Sequence, residues 1–263
     1  MRRAILSVLP KTIRFHGYQL AVNPEDHIMG SALLRGSYEP YGTKLFLESL
    51  KPGMNVVDCG ANIGIYTCLA SGAVGPTGKV YSFEPEPRNF ACLTETIRLN
   101  HLPNVQPEQL ALSDRNEQAD LFLSEMNMGD HRLGKVEGNR PSVRIQTIPL
   151  DSYWGQVIPQ IDVLKLDVQG AEGLALKGMR ETLTRSPNLK IFMEFWPSAL
   201  RNGGTDPREV LQELLSFSFF IKVIDQEKKV LRDVEGIEQL LAPSSAEISF
   251  DLFLERNADG PRR

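Results

Sequence analysis

Val56-Val57-Asp58-Cys59-Gly60-Ala61-Asn62-Ile63-Gly64-Ile65-Tyr66-Thr67 is the stretch around which the chain is organised. Two β-branched residues and an aspartate lead into Gly60, Asn62 and Gly64, and an apolar run from Ile65 to Ala70 follows. That order predicts a buried strand, a tight turn and the start of a helix. Gly60 and Gly64 permit positive φ or close backbone approach, which a Cβ would obstruct. The free N–H groups of the first helical turn would face whatever sits above the strand.

About twenty residues further on, Lys79-Val80-Tyr81-Ser82-Phe83-Glu84-Pro85 predicts a second buried strand that ends in a carboxylate. A carboxylate there accepts hydrogen bonds from both hydroxyls of a ribose. The spacing argues against a dinucleotide. That fingerprint is G-x-G-x-x-G, whereas here the middle glycine is replaced by Asn62 and Ile65 stands in the place of the third. Asp58 at the strand end would also repel a phosphate. It suits a cationic group, such as the amino group or sulfonium region of S-adenosylmethionine (AdoMet). The acidic strand end, the G-x-N-x-G turn and Glu84 together point to AdoMet rather than NAD.

The chain has 263 residues, 41% hydrophobic and 24% charged, which is ordinary for a globular α/β domain. Its net charge of −4 provides no basic footprint for nucleic acid. Cys59, Cys68 and Cys92 have no metal-ligand spacing and read as small buried hydrophobes, which points to a reducing, cytoplasmic setting. The run Ala4 to Leu9 is interrupted by Pro10, Lys11 and Arg14, so a signal peptide is not expected. No stretch approaches the length of a membrane span.

Outward from the opening stretch, strands and helices alternate. Thr12 to Val22 predicts a hairpin; Ser31 to Leu34 and Thr43 to Leu50 predict helices. Between those helices, Tyr38, Glu39 and Tyr41 lie in a turn-rich loop that either closes over a cofactor or is plain surface. A helix is expected from Arg88 to Asn100, a third strand from Val105 to Leu112, and extended runs at Asp120 to Ser124 and Ser142 to Ile148. The polar segment Glu125 to Lys135 reads as a hairpin excursion or lid. Ile161 to Gly170 predicts a fourth strand, Ala171 to Leu183 its helix, and Leu189 to Pro197 a fifth strand. Asp206 caps and Pro207 opens another helix. Ile248, Phe250, Leu252 and Leu254 alternate with polar residues, predicting a last strand with one polar side. The alternation gives an α/β domain with a mostly parallel sheet.

Four segments in this order, Asp58 to Gly64, Phe83-Glu84-Pro85, Ala111-Leu112-Ser113-Asp114 and Lys165 to Glu172, resemble the FkbM-type methyltransferases, Rossmann-like AdoMet-dependent enzymes. The resemblance spans about residues 36 to 200. It implies a seven-stranded sheet with an antiparallel last strand and helices on both faces, and methyl transfer to oxygen on sugars or natural products. It implies that Asp58, Gly60, Asn62 and Gly64 form the methionine-side loop, that Glu84 holds the ribose, that the Ala111 to Asp114 segment, with Leu112 and Ser113, forms the adenine wall, and that Asp167 lies at the reaction centre. Gln169 stands where many relatives have Glu. The expected organisation is an N-terminal extension and cofactor lid over residues 1–50, with Glu39 reaching the cofactor, a methyltransferase domain over 51–256, and a tail over 257–263.

A hydroxyl nucleophile needs a base within hydrogen-bond reach. Asp167, Glu194 and His131 are the candidates at the sheet rim. Asp167 either serves the reaction or caps the helix that begins near Ala171. Glu194, on a buried strand, needs a partner or a function. His131 is either a base or a surface residue between Asp130 and Arg132. No spacing demands a metal, and the oligomeric state is not legible. The expected acceptor is a small hydroxylated molecule or glycan. The alternatives are a nucleic-acid methyltransferase, disfavoured by charge and by the lack of an Asn-Pro-Pro-Tyr type motif, and a non-catalytic AdoMet-binding protein.

Overall fold

The computed structural model describes residues 10–23, 27–36, 38–124, 129–134, 140–242 and 248–256. The N-terminal run before Pro10, the tail from Asn257, and parts of the excursion, 125–128 and 135–139, lie outside the described residues. In chain order the elements are β1 (Thr12–Phe15), β2 (Tyr18–Ala21), α1 (His27–Leu34), α2 (Pro40–Ser49), β3 (Asn55–Cys59), α3 (Ile65–Val74), β4 (Lys79–Phe83) and α4 (Pro87–Leu99). Next come β5 (Val105–Glu108), β6 (Ala111–Leu112), β7 (Gln118–Phe122), β8 (Arg132–Leu133), β9 (Ser142–Ile148), α5 (Leu150–Trp154), β10 (Val163–Leu166), α6 (Glu172–Lys177) and α7 (Arg180–Arg185). The chain continues with β11 (Lys190–Phe195), α8 (Pro197–Asn202), α9 (Pro207–Ser216), β12 (Phe219–Asp225), β13 (Val230–Asp233), α10 (Glu238–Leu241) and β14 (Phe250–Arg256).

The main sheet has the order β13-β12-β14-β11-β10-β3-β4-β5. The strands from β5 to β11 run parallel, and β14 is antiparallel to both β11 and β12. This is the expected Rossmann-like methyltransferase arrangement with one strand more than seven. The addition, β13, returns on β12 through a tight turn in which Lys228 N–H donates to Asp225 Oδ1 at 2.8 Å. Side chains alternate between faces along each strand. Val57, Cys59, Leu164, Leu166, Ile191, Met193 and Phe195 enter one core, which is closed by α5 to α9. Val56, Val163 and Phe192 enter the other, closed by α1 to α3. The β1–β2 hairpin joins that second core through Ile13, Phe15 and Leu20, and it is tied to α4 by Ala21 N–H donating to Thr96 Oγ1 at 2.9 Å.

Four sequence expectations change. The third strand breaks after Glu108: Pro107 lacks an N–H and is tolerated at the sheet edge, and the chain then leaves to pair β6 with β9. The helix expected from Ala171 to Leu183 splits at Gly178, where a Cβ would run into the carbonyl oxygen of Ser113. The second piece is started by Asp151, whose carboxylate accepts from Glu181 N–H and Thr182 N–H at 2.8 and 2.9 Å. Pro197 opens a helix rather than ending a strand, because its fixed φ suits a first helical position. Finally, the polar side of β14 is only partly solvated: the Glu255 side chain is 38% exposed, but Phe253 on the same side is buried. Leu252, Phe253 and Leu254 are all buried, because the middle of the strand lies inside the sheet with both faces covered.

Candidate active site

The C-terminal ends of β3, β4 and β10 meet above the sheet, where open α/β folds place ligands. Gly60, Asn62 and Gly64 all have positive φ, 85°, 50° and 94°. A Cβ on Gly60 would collide with the carbonyl oxygen of Asp167, so this glycine lets the ends of β3 and β10 approach closely. A Cβ on Gly64 would press on Leu93 of α4. Gly60 N–H and Ala61 N–H both donate to the Phe83 carbonyl, which ties the turn to β4.

Glu84 is 5% exposed. Its Oε2 accepts from Asn62 N–H at 2.8 Å and its Oε1 from Glu86 N–H at 2.9 Å, which fixes the carboxyl plane. Burial pushes its pKa up to about 7, against the pull of those two donors. An open cleft of about 540 Å³ runs past it. The walls include Glu84, Asn89, Leu110, Ala111, Leu112 and His131. Leu112 is one of the lining residues. Ser113 does not line this cleft; it faces an outer groove with Asp114 and Gly178 at its back. Ala111, from the same segment as Leu112, lines the cleft too, whereas Leu110 and Asn89 were not singled out in the sequence. They become neighbours only because the chain turns from the main sheet into β6.

A second cleft, about 1020 Å³ of open space, adjoins the first. Glu39, Arg132, Asp167, Gln169, Glu194 and Trp196 are among its lining residues. The two clefts share Gly60, Asn62, Gly129, Asp167 and Gln169. Asp167 is thus at their junction. Its Oδ2 accepts from Lys165 Nζ at 3.0 Å and its Oδ1 from Gln169 Nε2 at 2.8 Å. Burial favours the neutral acid, but the Lys165 ammonium outweighs it and holds Asp167 below the usual carboxylate range. The same Gln169 nitrogen donates to Glu194 Oε2 at 2.6 Å. Burial first, and then the Asp167 charge, push Glu194 up to about 9, so it carries a proton at neutral pH.

Asp167 does not cap the helix that begins at Glu172: the N-cap position is Ala171, and no side chain accepts from the first turn. Glu172 Oε1 accepts from Val168 N–H at 3.0 Å and its Oε2 from Gly170 N–H at 2.9 Å. That carboxyl staples a turn in which Gln169 has φ 53° and Gly170 packs on the Ala199 carbonyl. Asp167 is left facing the clefts.

Lys165 is 6% exposed on β10, in register with Asp58 of β3, and its Nζ lies 5.0 Å over the Tyr66 ring. Burial alone would lower its pKa, yet Asp167 and Glu39 raise it well above the ordinary value. A charged residue in the apolar run Val163 to Leu166 was a legible signal that the sequence reading passed over. Asp58 is fully buried; its Oδ2 accepts from Thr67 Oγ1 at 2.6 Å, and burial pushes it up to about 6. Glu39 precedes α2 with φ 41° and accepts from the Tyr66 hydroxyl at 2.5 Å. Burial raises it to about 7, and Lys165 opposes the rise.

His131 shares the first cleft with Asp167 but does not line the second, where Glu194 stands. Its Nδ1 accepts from Ser124 N–H at 3.0 Å, and it lines the cleft beside Glu84. Burial holds it down to about 4, reinforced by Arg140 and Arg88 against Asp130. Among the described residues, no three His, Cys, Asp or Glu side chains are grouped to hold a metal ion. Cys59 and Cys68 are buried and Cys92 is half-buried, all free thiols. No helix of the described residues is long and apolar enough to cross a membrane.

Comparison with known proteins gives the site its family. The hexuronic acid methyltransferase AglP of Haloferax volcanii is 30% identical over 215 residues, covering 80% of this chain and 81% of that protein. The 2-O-methyltransferase NoeI of Sinorhizobium fredii is 28% identical over 184 residues, covering 64% of this chain and 73% of its own. Among solved structures, methyltransferase FkbM from Methylobacillus flagellatus aligns at 17% identity and TM-score 0.47 over 81% of this chain and 50% of that one; the fold assignment rests on the strand order instead. The sequence model described as the methyltransferase FkbM domain matches residues 58–221, which include the glycine turn, Glu84, Asp167 and Glu194, so the chain belongs to the FkbM methyltransferase family and is a methyltransferase.

Proposed function

We propose that the protein transfers a methyl group from AdoMet to a hydroxyl on a sugar, glycan or similar hydroxylated small molecule. The observation that carries this reading is Asp167: an ionised carboxylate at the junction of two clefts, one of which has the groups an adenosine needs.

The residues present fit the cofactor. Each oxygen of Glu84 accepts one backbone N–H and keeps a lone pair for a ribose hydroxyl. Asn62 Oδ1 is buried at the cleft with no hydrogen-bond partner among the described residues. Leu110, Ala111 and Leu112 offer an apolar wall for the base. Asp58, Tyr38 and Tyr66 surround a smaller cavity beyond Gly60, on the side of a methionine amino group. Tyr38, from the segment before residue 51, closes this end as a lid, and Glu39 beside it lines the adjoining second cleft. The bound cofactor supplies a methyl carbon activated by a sulfonium.

The chain then has two tasks: hold the acceptor oxygen in line, and receive its proton. Asp167 takes both. Its carboxylate accepts the hydroxyl hydrogen, orients an oxygen lone pair toward the methyl group and takes the proton as the new O–CH₃ bond forms. Lys165 and Gln169 hold the carboxylate in place and ionised. Glu194, already protonated, serves as a hydrogen-bonding wall rather than a base. His131, neutral and turned to the adenosine side, is not the base either. An ionised Asp167 also disfavours a carboxylate as the nucleophile, since two anions would face each other.

The name of AglP, a hexuronic acid methyltransferase, supports a saccharide acceptor, and that of NoeI, a 2-O-methyltransferase, supports transfer to oxygen. The net charge of −4 opposes nucleic acid. Calorimetry with AdoMet, its demethylated product and NAD, followed by label transfer from methyl-labelled AdoMet to a panel of glycosides, tests the reading. Binding of NAD without AdoMet, or tight salt-dependent retention of RNA or DNA on filters, would overturn it.

A further inference from the structure

The second cleft has two unlike walls. One is the acidic set just described. The other is formed by Asp130 and Arg132, with Arg140 behind them. Arg132 Nε donates to Asp130 Oδ1 at 2.5 Å, while Arg140 Nη2 donates to Asp130 Oδ2 at 3.1 Å and its Nη1 to the Asp130 carbonyl at 3.0 Å. Two guanidiniums therefore share one carboxylate. Their side chains are only 14% and 29% exposed, and that of Asp130 is 18% exposed. Among the described residues this leaves one positive charge uncompensated in a poorly solvated place, which is costly without an anion.

The geometry also fixes how that charge is presented. The Arg132 guanidinium lies 4.5 Å over the Trp196 ring, which sets its plane. Among the described residues its only hydrogen bond goes from Nε to Asp130, so the terminal nitrogens keep their donors. Trp196 itself lines the same cleft, and its Nε1 is buried with no hydrogen-bond partner among the described residues. A planar cationic fork with free terminal donors suits an oxyanion substituent held bidentately. At the opposite wall Lys165 offsets Asp167, and Glu194 carries a proton, so an anion on the far side of the cleft meets little repulsion.

We infer that the acceptor is an acidic saccharide, whose carboxylate or phosphate docks on Arg132 while a separate ring hydroxyl meets Asp167. The inference rests on the sugar-hydroxyl reading above and names the substrate class of the same site. The oxyanion is a handle and is not methylated. The sulfonium–methyl bond breaks, the ether O–CH₃ bond forms, the hydroxyl proton passes to Asp167, and the handle leaves unchanged.

The test uses the full chain, methyl-labelled AdoMet and matched acceptors: nitrophenyl glucoside against glucuronide, galactoside against galacturonide, and methyl glucoside against its 6-phosphate. The acidic member of a pair should be the better substrate by roughly tenfold to a hundredfold in kcat/KM, the scale of a charged hydrogen bond. The uronide and phosphate arms identify which oxyanion is taken. Arg132→Gln should abolish that preference by raising KM for the acidic member while leaving kcat and AdoMet binding intact. Arg140→Gln, away from the Trp196 ring, should weaken the preference in the same direction, and it stands in should Arg132→Gln fail to fold. The incorporated methyl should survive mild alkali, as an ether does and an ester does not. Equal or better use of the neutral members, no transfer to any acidic member, or alkali-labile label would each overturn the inference. Retained AdoMet binding with label in neutral sugars would sink this inference alone, whereas loss of AdoMet binding by the wild-type chain would sink the parent reading.

Discussion

Asp167 and Glu194 are joined through a single nitrogen: Gln169 Nε2 lies 2.8 Å from Asp167 Oδ1 and 2.6 Å from Glu194 Oε2. Two carboxyl groups that share one donor do not both ionise comfortably. Lys165 breaks the tie in favour of Asp167, at 3.0 Å from its other oxygen. The pair is thereby split into an anion and a neutral acid.

Asp167→Asn should lower turnover by roughly two to four powers of ten, the range for loss of a positioned base. AdoMet affinity should barely change, since Glu84 and the glycine turn are untouched. Asn also leaves Lys165 without its ion pair, so a melting curve must accompany the kinetics. A folded variant with full turnover would remove Asp167 from the chemistry.

Glu194→Gln should leave activity within a few-fold of wild type near neutrality, because the acid it replaces is already neutral there. The stability profile carries the sharper signal. A carboxyl raised in the folded state to about 9 binds its proton more tightly when folded than when unfolded. The folded form is favoured at low pH, and stability is lost as pH climbs from the ordinary carboxyl range through 9. Glu39, Glu84 and Glu172, raised to about 7, contribute below that value, so the fall between 7 and 9 belongs mainly to Glu194. Melting temperatures should drop across that window in the wild type and stay flatter in Glu194→Gln. Parallel curves would contradict the assignment.

Glu84→Ala should weaken AdoMet binding by about 1.5–3 kcal/mol, the scale of hydrogen bonds to a charged group. It also strips an acceptor from two N–H groups, Asn62 and Glu86, so Glu84→Gln is the gentler companion. Calorimetry with the demethylated cofactor decides between lost ribose contacts and a collapsed turn.

Glu172→Ala should destabilise the fold. It leaves the N–H groups of Val168 and Gly170 without their acceptor, at roughly 1–3 kcal/mol for each group that stays buried. Each kcal/mol lowers Tm by about 2–4 °C in a chain of this size. Glu172→Gln keeps an acceptor oxygen and should recover most of the loss. Turnover should track the integrity of this turn, because the turn sets the place of Gln169.

The sequence alone determined the frame. The stretch Val56 to Thr67, the strand ending at Glu84 and the run through Asp167 have periodicity and punctuation that need no distant partner, because a buried parallel strand, a glycine turn and a helix start are each specified locally. The antiparallel last strand was likewise legible, though the burial of Phe253 on its polar side was not: that follows from the strand's place between β11 and β12. Tertiary structure decided what depends on neighbours far away in the chain. Gly178 breaks a helix because Ser113 packs there. Glu172 ties the turn after Asp167 by accepting from Val168 N–H and Gly170 N–H, and Asp167 is left without a capping role. The order in which Asp167 and Glu194 give up protons is set by Lys165 and by burial, neither visible in a one-dimensional pattern. Arg132 meets Trp196 only once β8 and the end of β11 are brought to one cleft. Local propensity writes the elements, but charge states and cleft walls are properties of what packs against what.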